Sequence, residues 1–345
     1  MSKVRPSSRI LALDYLRGFF IFVIIIDHLN RWPSLFGYIS GMDSQWVSAA
    51  EGFVIVSGLL IGYIRGFKSK SIPMREVTKK LWSRALLLYV WAVITSLILI
   101  WVTWYVTFQG STAHVPIEKG NWLQAFWEVA TLQYTHLLTH FLGLYAVFLF
   151  AAPLAVFLLR KSKAWVLGLL SITLWWIGTL ISNEMLQWQV LFFLAAIGGY
   201  YLESIQNWLH SLSRQRRFIL YGVLVATTII TAVFSVLDIF DVSSWNGRAP
   251  LGYGRILLAG VWFCGFLIVF TWALPWIQRW FGWLLGVFGT RSLSAYILHA
   301  VPAMIISICI QPTTNFWVNS LIGLFAVLSV WGMLKLPIIQ RLLPR

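Results

Sequence analysis

The chain has 345 residues, 59% of them hydrophobic and only 11% charged, with a mean hydropathy of +0.79. Soluble globules carry roughly 25% charged residues, so this composition excludes disorder and argues against a soluble fold. The formal net charge of +15 invites a nucleic-acid reading, but the placement of the charges answers it differently.

A span needs about 20 mostly apolar residues to cross about 30 Å of hydrocarbon. Ten segments meet that need: 10–30, 46–66, 82–107, 137–159, 164–182, 186–205, 217–238, 254–274, 292–311 and 316–336. The expected fold is therefore all-α, a polytopic membrane bundle of about ten helices forming one domain over 1–345. The first segment carries Asp14 and Arg17 and lacks a small-residue cleavage site, so it is expected to stay in the protein. Of the 26 Lys and Arg residues, 21 fall on one side of such a bundle. They include Lys3, Arg5 and Arg9, the run from Arg65 to Arg84, Arg160, Arg214, Arg279 and Arg345. Arg31, Lys119, Arg248 and Arg255 fall on the other side, and Arg17 lies within the membrane. That bias predicts cytoplasmic termini, requires an even number of spans and leaves nucleic acid unneeded as a partner.

The longest outer segment, 108–136, contains the aromatic stretch Asn121 to Tyr134, suited to lie along the interface. A second outer loop, from Ile239 to Tyr253, carries Asp241, Trp245, Asn246, Gly247 and Arg248. Gly58, Gly62 and Gly66 recur every four residues in the second span, a small-residue face for close helix packing. Cys264 and Cys309 fall inside apolar runs without metal-ligand spacing and are read as core residues.

Ionisable groups at bilayer depth are costly, and each is a functional candidate to be weighed against a structural ion pair. Arg17 and His28 are eleven residues apart, about three helical turns, so they share a face with an offset of about 16 Å. Asp14 joins that face, whereas Asp27 points about 100° away. Glu51, two turns into the returning span, is the carboxylate expected to orient His28. A neutral imidazole there can act as general base; the alternative is a polar cluster that fixes helix register. His299 is expected near the depth of Arg17, as a cavity wall or a packing histidine. His136 and His140 stand at i and i+4, a spacing that can present two metal ligands, but no HExxH accompanies them and no metal is expected. The basic run that includes Lys79 and Arg84 suits a nucleotide phosphate, although topology alone accounts for it.

Four segments combine into a pattern: LDYLRGFFIFVIIIDH (13–28), AAEGFVIVSGLLIG (49–62), WQVLFFLAAIG (188–198) and FGTRSLSAYILH (288–299). Together they resemble the OpgC-type proteins, succinyltransferases of osmoregulated periplasmic glucans within the wider acyltransferase family 3 of membrane enzymes. The resemblance implies an acyltransferase of the bacterial inner membrane that moves succinyl or acetyl from cytoplasmic acyl-CoA to a glycan hydroxyl outside. Its implied partners are that glycan and the bilayer, with a second copy of the chain as a further candidate. Carried over, His28 matches the catalytic histidine and Arg17 its paired arginine; Glu51, Ser57 and His299 occupy other polar motif positions. Arg17, Ser57, His299, Lys79 and Arg84 are the candidates for holding the acyl-CoA, and direct transfer and an acyl-enzyme both stay open. The rival readings are a secondary transporter and a polysaccharide export partner that use the same charges without chemistry.

Overall fold

The computed structural model describes residues 8–42, 45–106, 115–240, 242 and 245–343. Lys3, Arg5, Asp241, Arg345 and the side chain of Arg9 lie outside the described residues.

Among those residues the chain is all-α. In chain order the helices are α1 (Ser8–Asp27), α2 (Leu35–Ser40), α3 (Ala49–Leu60), α4 (Met74–Tyr105), α5 (Trp122–Ala130), α6 (His140–Arg160), α7 (Ala164–Leu180) and α8 (Glu184–Tyr200). Then come α9 (Leu202–Ser211), α10 (Arg214–Val236), α11 (Tyr253–Trp272), α12 (Leu274–Thr290), α13 (Ser292–Leu298), α14 (Ala300–Cys309), α15 (Phe316–Lys335) and α16 (Pro337–Leu342). Seven helical stretches are long and apolar enough to cross a bilayer, and an eighth forms if α8 and α9, bent by 60°, count as one. The chain is a polytopic membrane bundle. Each of the ten expected segments carries a helix. Besides α8, two fall short of the test: α1 holds Arg9, Asp14, Arg17 and Asp27, and α7 has only 17 residues.

α1 runs through the middle of the bundle. Leu16, Ile21 and Ile25 are fully enclosed, and the helix packs against α3, α11, α12, α13 and α15. A helix apolar on nearly every face belongs in such a position. The glycine face of the second span packs on α8, where a Cβ on Gly62 would collide with the Ala196 carbonyl and one on Gly58 with that of Phe192. Beyond Leu60 the helix continues as a π-helix, Ile61–Lys68. Its end is tied down by Arg160, whose guanidinium donates to the carbonyls of Arg65, Ser69 and Ile72.

Three elements differ from expectation. α4 starts at Met74, eight residues early, because the basic run continues the helix without a break. The stretch between the expected spans 254–274 and 292–311 is itself a helix, α12, that packs on α1, with Gly289 against the Asp14 carbonyl and Gly18 against that of Leu285. Cys264 and Cys309 are exposed on the outside of the bundle, since α11 and α14 turn their tighter faces inward. The aromatic stretch after Asn121 forms α5, whose Asn121 side chain accepts from Gln124 N. Leu123, Phe126 and Trp127 point outward from it, and Ala125 and Val129 inward.

Candidate active site

His28 follows the last residue of α1, its backbone N–H still donating to the Ile24 carbonyl at 3.1 Å. His299 occupies the joint between α13 and α14. The two imidazoles meet face to face, ring centroids 4.8 Å apart and planes inclined by 23°. His299 is buried and donates its Nδ1 proton to the Tyr296 carbonyl. A carbonyl can only accept, so this bond sets the tautomer and leaves Nε2 as the basic nitrogen. That Nε2 and the Nδ1 of His28 are both buried without a hydrogen-bond partner. Each such atom costs about 1–3 kcal/mol, so two on stacked rings make this pair a candidate reactive site.

His28 lines a cavity of about 470 Å³, within the range of small-molecule sites. Asp27, His136, His140, Glu184 and Arg248 are its other ionisable residues, and Phe53, Phe141, Trp188 and Tyr296 form apolar wall. His136 is fully enclosed; its Nδ1 accepts from Leu138 N at 3.3 Å, and burial pushes its imidazole down to about 4, which keeps it neutral. His140 sits between the Thr135 hydroxyl, 2.8 Å from Nδ1, and Glu184 Oε2, 2.7 Å from Nε2.

Aromatic side chains floor the cavity. Tyr145 packs on Phe53 and Phe141 and meets Phe192 edge-on. It also lies within electrostatic reach of Arg17, as does Arg84. Arg17 Nη2 donates to Asp14 Oδ1 at 2.8 Å, and its buried Nε has no partner. Arg17 is not among the residues that line the cavity. An aromatic layer thus separates the histidine pair from the Arg17 cluster.

A family comparison matches residues 9–337 to the OpgC protein family. The chain belongs to the OpgC family. Neither a curated protein nor a solved structure matches it. OpgC membership connects the chain with glucan modification by an acyltransferase-like membrane protein.

Of the residues that follow the OpgC-type pattern, His28 and His299 come together, while Arg17, Glu51 and Ser57 stand away from the cavity. Glu51 does not orient His28. It is wholly buried, where its Oε1 accepts from Arg255 Nε and its Oε2 from Ser48 N and Oγ, closing the capping box of α3. The helix-start signal at Ser48 and the distant Arg255 claim the carboxylate first. Asp27, expected about 100° away from His28, also lines the cavity.

His299 stands level with His28, not with Arg17. Gly289 meets Asp14, so α13 starts at that depth and ten residues carry His299 toward the far end of α1, a rise of at most about 15 Å. His136 and His140 do not share a helix face, since the 3₁₀ turn Leu137–Thr139 comes between them. Lys79 borders a separate, mainly apolar groove between α4 and α6, while Arg84 is absent from the groove's lining and sits about 140° around the helix from Lys79. Glu184, Tyr296 and Arg248 were not singled out from sequence as site residues. Glu184 reads there as a first-turn acid after the Asn183 cap, and Tyr296 as one more aromatic in a motif.

Proposed function

We propose that the chain is a membrane O-acyltransferase, with acyl-CoA as co-substrate and a glycan hydroxyl as acceptor, that needs no metal. In this reading both termini are cytoplasmic and the membrane is a bacterial inner membrane. One observation carries it: the stacked His28–His299 pair, each ring with a buried unpartnered nitrogen, with His28 on the wall of a ligand-sized cavity.

The step balances simply. The acceptor hydroxyl gives its proton to the imidazole of His28 as its oxygen bonds to the thioester carbonyl. The C–S bond then breaks, and the proton passes to the departing sulfur as free CoA thiol. His299, its tautomer set by the Tyr296 carbonyl, supplies a second acceptor beside the first. Such base assistance is worth typically about 10²- to 10⁴-fold. Arg17, with Arg84 near it, is positioned to receive the anionic donor from the cytoplasmic side. Passage of the acyl group then requires the layer around Tyr145 to part.

The test uses protein in nanodiscs with radiolabelled succinyl-CoA or acetyl-CoA and a linear glucan. Label is expected on the sugar, and His28→Asn should reduce the rate by about 10²-fold or more. Equal transfer by that variant overturns the assignment. Solute uptake by proteoliposomes with no CoA thioester consumed makes the chain a transporter instead.

A further inference from the structure

His28 occupies only part of the cavity wall. At its mouth stands a second polar group that the transfer step leaves unused. His140 and Glu184 belong to different helices, α6 and α8, yet pair at 2.7 Å with side chains 41% and 44% exposed. A neutral ring satisfies both neighbours: Nδ1 accepts from the Thr135 hydroxyl and Nε2–H donates to Glu184 Oε2. Among the described residues the second carboxylate oxygen, Oε1, takes no hydrogen bond, and Glu184 lines the cavity. Glu184 and Trp188 are four residues apart on α8, so they share one face, and both line the cavity. Asn30 and Arg248 complete the polar rim.

The composition of this rim selects a class of ligand. A metal site would gather several carboxylates or imidazoles with free lone pairs, but both nitrogens of His140 are spent. An anion site would gather cations, but a carboxylate stands in the middle. A carboxylate oxygen, an amide and a guanidinium beside apolar aromatic wall match a neutral polyol, whose hydroxyls each donate and accept. A pyranose also fits the dimensions. One ring resting near Trp188, with a hydroxyl on Glu184, can extend another hydroxyl inward to His28 on the same cavity wall.

We infer that Glu184, braced by His140, is a binding residue of the acceptor subsite, taking a hydroxyl of a neutral pyranose at the cavity mouth. The inference rests on the acyltransferase reading for its consequence in turnover, but the binding itself does not depend on it. His140 touches no sugar in this arrangement. It is a positioning residue that holds Glu184 in one rotamer.

The experiment measures binding of a linear glucan oligosaccharide to the full chain in nanodiscs, by calorimetry, alongside transfer kinetics. Glu184→Gln keeps the shape and removes the charge-assisted bond, so glucan Kd and acceptor KM should rise about ten- to hundredfold. Donor KM and kcat should hold. His140→Asn should give a smaller rise of the same kind. Unchanged Kd and KM overturn the subsite. Equal losses in donor KM, acceptor KM and thermal midpoint overturn it too, because they show a staple between α6 and α8. If wild type binds glucan but never transfers label, the acyltransferase reading falls and the subsite stands. If it transfers label and Glu184→Gln changes nothing, the subsite falls and the reading stands.

Discussion

Two buried imidazole nitrogens and one buried carboxylate divide the work between chemistry and stability. Glu51 is fully matched: Arg255 and Ser48 satisfy its oxygens, and both charges of the ion pair are out of solvent. Removing one member strands the other, at a cost of about 3–5 kcal/mol. Glu51→Leu should therefore lower the unfolding midpoint and the folded yield, and Glu51→Leu with Arg255→Met should recover much of the loss. Transfer per folded molecule should change little in the double variant, which a stability assay and a rate assay on the same preparation will show. His299 is the reverse case. His299→Asn keeps a polar group in the joint but removes the second basic nitrogen, so kcat should fall, by about 10-fold or more, with the thermal midpoint nearly unchanged. Sequence spacing ranks these residues equally, because it measures distance along a helix and is blind to a partner 204 positions away.

Helices meet at contacts that spacing does foretell. The Gly58–Gly62 face is legible as a period of four, and it packs as expected, backbone to backbone on α8. Gly62→Ala forces a methyl into the Ala196 carbonyl and should cost about 1–3 kcal/mol, read as a lower midpoint in detergent. Gly198 has open space around its α-carbon, so Gly198→Ala should be neutral in the same measurement. The joint between α13 and α14 has its signal just beyond SLSAYILH: Pro302 cannot donate to the Leu298 carbonyl, where α13 ends. The depth of His299 follows from α12, an amphipathic helix whose seat on α1 raises the start of α13.

Two of the bundle's polar clusters stand on either side of an aromatic layer. One holds Arg17, Asp14 and Arg84; the other holds the histidines and the cavity. Under the proposed function, reactants arriving from opposite sides of a membrane need a barrier that admits an acyl chain and stops water and ions, and stacked phenyl and phenol rings suit that purpose. Thinning the layer with Tyr145→Ala should raise hydrolysis of acyl-CoA in the absence of acceptor, since water then reaches the thioester. A hydrolysis rate equal to wild type in folded Tyr145→Ala removes the layer from the donor's path.

Composition and the run lengths of apolar residues were enough to establish a helical membrane bundle, because the bilayer imposes a length and a polarity that no side-chain detail can evade. The motif segments were enough to bring out His28 and the family. Which groups surround that imidazole was decided only by tertiary structure. Glu51 was lost to Arg255, Asp27 and His299 were gained, and Glu184 was drawn in from α8, since contacts across helices depend on crossing points and breaks that one-dimensional periodicity does not encode.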